Sequence, residues 1–187
     1  MMGGDFYETG GGCGASVSSP DESLRQKLVA ANPNACPKWE ARPEGGVARV
    51  VSVYDGDTLT VLCVVAGGIY KLSVRLRGVD CPELRGRGAA EKEAAERVRD
   101  VVRARSLDET CDVTSHGVDK YGRLIVDLFF PDDGDLATFL LRRGLARPYA
   151  GEARMPFAAD ELCRISAAAN ALQEQPSARD LRGESTQ

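Results

Sequence analysis

Three β-rich runs follow one another between Val47 and Glu83 with turn residues between them, and this stretch most constrains what the chain can fold into. Val50, Val51 and Val53 form the first run, Leu59, Val61 and Val64 the second, and Leu72, Val74 and Leu76 the third. Gly or Asp marks each boundary, so the stretch reads as a three-stranded meander. Its charges gather at strand ends. Asp55 and Asp57 lie in the Asp-Gly-Asp-Thr turn between the first two strands, and Asp80 and Glu83 follow the third. Two turns of one small sheet can therefore face each other across a cleft. Arg75 stands inside the third strand, where a guanidinium is costly to bury unless paired. Alternation puts Arg75 and Arg77 together on the face opposite Val74 and Leu76, so position alone does not choose between them.

The rest of the chain supplies two more strands and about three helices. The loop Leu84-Arg85-Gly86-Arg87-Gly88 leads into a helix predicted from Ala89 to Leu107, with an apolar stripe of Ala94, Val98, Val101, Val102 and the aliphatic stem of Arg105 and a solvated outer face. Its early Glu91, Glu93 and Glu96 and late Arg97, Arg99, Arg103 and Arg105 suit the helix dipole. Cys111 to His116 and Leu124 to Phe130 are predicted strands joined by the turn Asp119-Lys120-Tyr121-Gly122-Arg123. A helix from Asp135 to Arg143 stops at Gly144, and a last helix from Pro156 to Gln173 buries Leu162, Ile165, Ala169 and Leu172. Upstream, residues 1 to 18 are rich in Gly and Ser and read as a disordered leader. Ser19-Pro20-Asp21-Glu22 then forms a capping box for a helix from Pro20 to Ala31. The expected organisation is an extension over 1–46, a domain over 47–175 and a polar, disordered tail over 176–187. The pattern is compatible with an α+β OB-type barrel, although periodicity alone does not select it over other small α+β folds.

Composition bounds the partners. The chain of 187 residues has a formal net charge of -4, distributed as -2 before Val47, zero from Val47 to Arg147 and -2 afterwards. No basic bias advertises a polyanion partner, so phosphate contacts must come from local arginines. Cys13, Cys36, Cys63, Cys81, Cys111 and Cys163 are scattered, without a C-x-x-C pair and with His116 as the only histidine, which argues against zinc. The amino terminus lacks the charged and apolar regions of a signal peptide, and no stretch is apolar enough to span a membrane. Free thiols, an intracellular setting and a monomer are the expectations.

The Asp-Gly-Asp-Thr turn, the run Arg75 to Glu83, the turn Asp119 to Arg123 and the segment Leu140-Leu141-Arg142-Arg143-Gly144-Leu145-Ala146 together resemble the staphylococcal nuclease family. The likeness spans roughly Val47 to Tyr149 with the blocks in the family's order. It implies a five-stranded OB-type β-barrel with about three helices, and a calcium-dependent nuclease acting on DNA and RNA with little sequence preference. By the same resemblance the bond between phosphorus and the 5′ oxygen breaks, leaving 3′-phosphate ends. Asp57 and Asp80 would ligate Ca²⁺ together with the backbone carbonyl of Cys81, which stands where the best-known secreted member has threonine. Arg75 and Arg123 would meet charge on the phosphoryl group, and Glu83 would orient or deprotonate the attacking water. Lys120, Tyr121 and Tyr149 would contact substrate phosphate and base. The loop from Leu84 to Ala89 is shorter than in that secreted member, with Arg85 and Arg87 retained.

These residue types suit the chemistry. Phosphodiester cleavage needs positive charge on the phosphoryl oxygens and a positioned water. Two aspartates from separate turns offer hard oxygen donors. The structural alternative is that Asp57 and Asp80 make only local Asx contacts and that Arg123 forms a salt bridge to Asp127 or Asp80. Two other functions compete: a non-catalytic nuclease-like domain binding nucleic acid or protein, and an unrelated OB-type single-strand binder. The first would typically lack the arginine and carboxylate set, and the second needs exposed aromatics along a basic groove.

Overall fold

A computed structural model describes Gln26, residues 29–32 and residues 43–174. All five predicted strands are present: β1 (Val47–Asp55), β2 (Thr58–Val65), β3 (Gly68–Leu76), β4 (Thr110–Val118) and β5 (Leu124–Phe130). They hydrogen-bond in the order β3-β2-β1-β4-β5, each neighbouring pair antiparallel. β3 then pairs in parallel with β5 through Val74–Leu124, Arg75–Ile125 and Leu76–Val126. That last pairing closes the sheet into a five-stranded barrel, the OB-type α+β fold, and leaves no long edge exposed.

Closure requires strong bending, and β1 supplies it. Its register against β2 shifts between Val50 and Ser52 and again between Val53 and Asp55. Such irregularities increase local twist. They also explain why Val50 and Val53 are buried but Val51 only partly so, where strict alternation would have grouped them differently. Inside the barrel Val50, Leu59, Val61, Val74, Leu76, Val126 and Leu128 are almost completely buried. Each such side chain contributes roughly 1.5–3 kcal/mol on leaving water.

Among the described residues three helices cover the barrel: α1 (Ala89–Ser106), α2 (Leu136–Arg142) and α3 (Ala159–Gln173). α1 packs against β1 and α3, burying Ala94, Val98, Val101 and Val102 as its periodicity predicts. Asp135 caps α2 by accepting the Thr138 N–H at 2.7 Å, and Gly144 at φ 67° ends it. α3 starts at Ala159 rather than at Pro156, because Phe157 is buried ahead of it beneath the Arg147 guanidinium at 3.9 Å.

One charged residue of α1, Glu91, does not lie on a wet face as its pattern suggested, and Arg105, whose aliphatic stem lies on the apolar stripe, is half-buried. Glu91 is buried and reaches back to accept the Arg87 N–H at 2.7 Å and the Glu83 N–H at 3.4 Å. It caps the loop ahead of the helix, where the Gly88 N-cap offers no side chain. Arg105 stacks on the Phe139 ring at 4.0 Å and pairs with Asp133.

Cys63, Cys81, Cys111 and Cys163 are free thiols. Among the described residues no helix is long and apolar enough to cross a membrane. The expected leader over 1–18 and the tail from Pro176 lie outside the described residues, as does most of the helix predicted from Pro20 to Ala31; Gln26, Val29 and Ala30, within its span, are helical.

Candidate active site

The β1–β2 turn, the end of β3 and the segment after α2 meet at one end of the barrel. Thr58 lies directly opposite Arg75 in the β2–β3 register, and the Leu76 N–H bonds the Asp57 carbonyl at 2.9 Å. Asp57 is thereby held beside the Arg75 side chain. Beyond β3, Val79 and Asp80 pair with Pro148 and Arg147, and the Tyr149 N–H reaches the Gly78 carbonyl at 3.0 Å. Residues far apart in sequence thus surround Asp80.

Arg75 Nη1 lies 3.0 Å from Asp57 Oδ2 and its Nη2 lies 3.5 Å from Asp80 Oδ1, so one guanidinium bridges the two aspartates predicted to bind a cation. Arg77, on the same face, leaves the site and forks onto Asp127 at 2.9 and 3.0 Å. Geometry therefore separates two arginines that alternation could not. The Tyr149 ring stacks under Arg75, its centroid 5.5 Å from the guanidinium carbon.

Arg123 approaches from the turn before β5. Asp119 organises that turn by accepting the Tyr121 and Arg123 N–H groups at 2.9 Å, and Gly122 adopts φ 82°, a left-handed conformation suited to glycine. The partner of Arg123 is neither Asp127 nor Asp80 but Asp119, with Nε 2.8 Å from Oδ2. Its Nη1 donates to the Thr58 hydroxyl at 3.3 Å, which in turn donates to Asp57 at 2.9 Å. Lys120 and Arg123 flank the exposed Tyr121 ring at 5.0 and 5.5 Å. Lys120 and Tyr121 therefore stand at the outer margin, joined to the centre through Arg123.

Cys81 divides its functions between core and site. Its thiol is buried close to Gly56, where an added Cβ would lie 2.9 Å from the sulfur and 2.5 Å from a Val98 methyl. The glycine of Asp-Gly-Asp-Thr is thus required for space rather than for an unusual φ. Burial, with Asp57 and Asp80 nearby, holds the thiol neutral and well above its ordinary pKa. The Cys81 carbonyl instead accepts from Arg154 Nη2 at 2.6 Å, and its N–H donates to Asp57 at 3.2 Å.

Arg147, Arg154 and Glu91 belong to this cluster although no motif singled them out as site residues, and Asp55 of the Asp-Gly-Asp-Thr turn joins them. Asp80 is fully buried and receives Arg147 at 2.8 and 3.1 Å and Arg154 Nε at 2.9 Å, besides Arg75. Arg154 also pairs with Glu83 through Nη1 and approaches Glu91 at 3.9 Å. Asp55 accepts the Leu84 N–H at 3.0 Å. Burial raises the carboxyls of Asp55 and Asp57 above the usual range, outweighing the Arg75 charge at Asp57. An open cleft of about 390 Å³ adjoins the cluster, lined by Glu83, Arg85, Arg87, Glu91, Arg154 and Met155.

The donor set fits a hard cation. Asp57, Asp80 and the Cys81 carbonyl offer oxygen, and the neutral sulfur points elsewhere. Among the described residues no three His, Cys, Asp or Glu side chains are arranged to hold a metal ion. A cation here would depend on two carboxylates and a carbonyl, with water and substrate completing its shell.

A small closed barrel with paired arginines and carboxylates at one end defines the class as an OB-fold protein. The chain belongs to the staphylococcal nuclease homologue family, which matches residues 73–175, more than half its length. Two proteins named uncharacterized endonuclease, from Escherichia coli O157:H7 and Escherichia coli, are each 29% identical over 101 residues, covering 54% of this chain. The chain spans 60% of the length of these relatives. The family match begins inside β3, so Asp55 and Asp57 join the site on geometric grounds.

Proposed function

We propose that this chain is a calcium-dependent nuclease that hydrolyses phosphodiester bonds of DNA and RNA with low sequence preference, leaving 3′-phosphate ends. The observation that carries the reading is the bridging of Asp57 and Asp80 by Arg75, with Arg123 joined to Asp57 through Thr58. Family membership and the endonuclease-named relatives support it.

Each residue then has a task. Arg75 and Arg123 would bring guanidinium charge to the phosphoryl oxygens, where charge grows as the leaving oxygen departs. Glu83, at the cleft and partly exposed, positions the attacking water and can accept its proton. Lys120 and Tyr121 hold an outer phosphate and a base, and Tyr149 offers a ring beside Arg75 on which a base can rest. Asp57, Asp80 and the Cys81 carbonyl would hold Ca²⁺, which when bound supplies positive charge to the phosphate. The 3′-phosphate outcome follows if the water stands opposite the 5′ oxygen.

End-group analysis of a cleaved, labelled single strand tests this reading. New 5′ ends should carry hydroxyls that a polynucleotide kinase phosphorylates directly. Ends that require phosphatase first would reverse the assigned bond. Arg123→Ala should reduce cleavage strongly, whereas a pure binding module would show no cleavage to lose.

A further inference from the structure

The Arg154 guanidinium occupies the oxygen cluster assigned above to the cation. Its Nε lies 2.9 Å from Asp80 Oδ1, its Nη2 donates to the Cys81 carbonyl at 2.6 Å, and its Nη1 pairs with Glu83. Two of these acceptors, the Asp80 carboxylate and the Cys81 carbonyl, belong to the proposed ligand set, and the third belongs to the residue that handles water. Arg154 comes from the connection between Pro148 and α3, which contains no regular secondary structure over residues 149–158. The Tyr149 hydroxyl steadies that connection by donating to the Glu152 carbonyl at 2.7 Å. Arg154 also borders the open cleft, so a side chain leaving Asp80 has room beside it.

We propose that Arg154 is a resident counter-cation of this site, competing with the divalent ion for Asp80 and the Cys81 carbonyl and thereby setting how tightly the ion binds. The inference rests on the calcium-dependent reading. Arg154 sits closer to Asp80 Oδ1 than Arg75 does, 2.9 against 3.5 Å, and alone also holds the Cys81 carbonyl, so a calcium ion coordinated by both oxygens would press against its positive charge and binding requires Arg154 to withdraw. Withdrawal also frees Glu83 to meet water. Arg147 keeps the other Asp80 oxygen, Oδ2, at 2.8 Å, so the carboxylate remains anchored when Arg154 leaves.

The competition has a calculable effect. If Arg154 is docked for about nine-tenths of the time, the competent fraction is about one-tenth and the apparent dissociation constant is about tenfold weaker than the intrinsic one. Arg154→Ala should therefore tighten calcium binding about tenfold. Arg154→Lys retains the charge but loses the fork that spans three acceptors, and should fall between the two. In the wild type, the Arg154 Nε–H bonded to Asp80 should exchange slowly in chelator and rapidly once calcium is added.

The test is calorimetric titration of the full chain and both variants with calcium chloride, accompanied by thermal melts in chelator and in calcium and by NMR of the arginine Nε–H signals. Arg154→Ala should melt lower than wild type in chelator, gain more from calcium, and bind the ion more tightly. Equal or weaker calcium affinity in Arg154→Ala, with both proteins binding, overturns the competition and leaves the cation reading standing. A lysine variant indistinguishable from wild type, with unchanged Nε–H exchange on calcium addition, assigns any effect of alanine to charge alone and also overturns it. No binding by any of the proteins overturns both readings.

Discussion

Replacing Arg75 by alanine should cost stability as well as catalysis, and the size of the cost follows from Asp57. That aspartate is 2% exposed and retains only the Cys81 N–H and the Thr58 hydroxyl once Arg75 is gone. Removing one partner of a buried ion pair typically costs about 3–5 kcal/mol. The remaining hydrogen bonds and the option of protonation place Arg75→Ala near the lower end, about 3 kcal/mol. For a chain of this size that corresponds to roughly 6–12 °C in melting temperature. The loss should also depend on pH. Burial already raises the Asp57 carboxyl above its ordinary value, and loss of the guanidinium raises it further. A folded-state pKa above the unfolded one means that the native state binds the proton more tightly. The associated stability is present below the ordinary carboxylate pKa and declines as pH rises through the folded value. The variant should therefore lie closest to wild type in mild acid and fall further behind towards pH 8. Paired thermal melts across that range supply the assay. A variant melting within about 2 °C of wild type at pH 8, or one whose deficit does not change with pH, would refute the view that Arg75 neutralises a buried Asp57.

Other perturbations separate stability from chemistry. Arg123→Ala should lower single-turnover cleavage by on the order of 10²–10³-fold. Its melt should move by only a few degrees, because its ion pair lies within a local turn. Cys81→Ser and Cys81→Thr should keep calcium-dependent cleavage within a few-fold of wild type, since the carbonyl faces the site, while Asp80→Ala should abolish most of it; loss of cleavage in Cys81→Ser would make the sulfur a ligand. Gly56→Ala should destabilise by about 1–3 kcal/mol through overpacking against Val98 and Cys81, as denaturant unfolding would register. Calcium should bind with a dissociation constant of roughly 10⁻⁴–10⁻³ M in the absence of substrate, measurable by calorimetry.

The parts of this site that were legible in sequence are those tied to strand ends. Period-two alternation and the Asp-Gly-Asp-Thr turn place Asp57 beside β2, and the end of β3 places Asp80 and Glu83, because a strand's direction carries its turn residues to a known edge. Barrel closure is less legible. The parallel pairing of β3 with β5 joins residues such as Arg75 and Ile125, whose registration depends on the bends in β1 rather than on either strand's own pattern. Arg147 and Arg154 carry still less local signal. They lie along an aperiodic connection, and the contacts to Asp80 arise only when that segment pairs with the two residues after β3. Arg147 beside Pro148-Tyr149, and Arg154 further along the same connection, were the available clue. Glu91 was obscured for a different reason: an acidic residue in a first helical turn ordinarily faces water, whereas this one caps a loop whose own helix begins with glycine.

Incubation of the purified chain with denatured DNA or RNA, in calcium or in excess chelator, tests the central claim most directly. Both polymers should be cut to short products in calcium, with little preference among sequences, and both should stay intact in chelator. Intact polymers in calcium, or cleavage at an undiminished rate in chelator, would contradict the assignment of this site as a calcium-dependent nuclease.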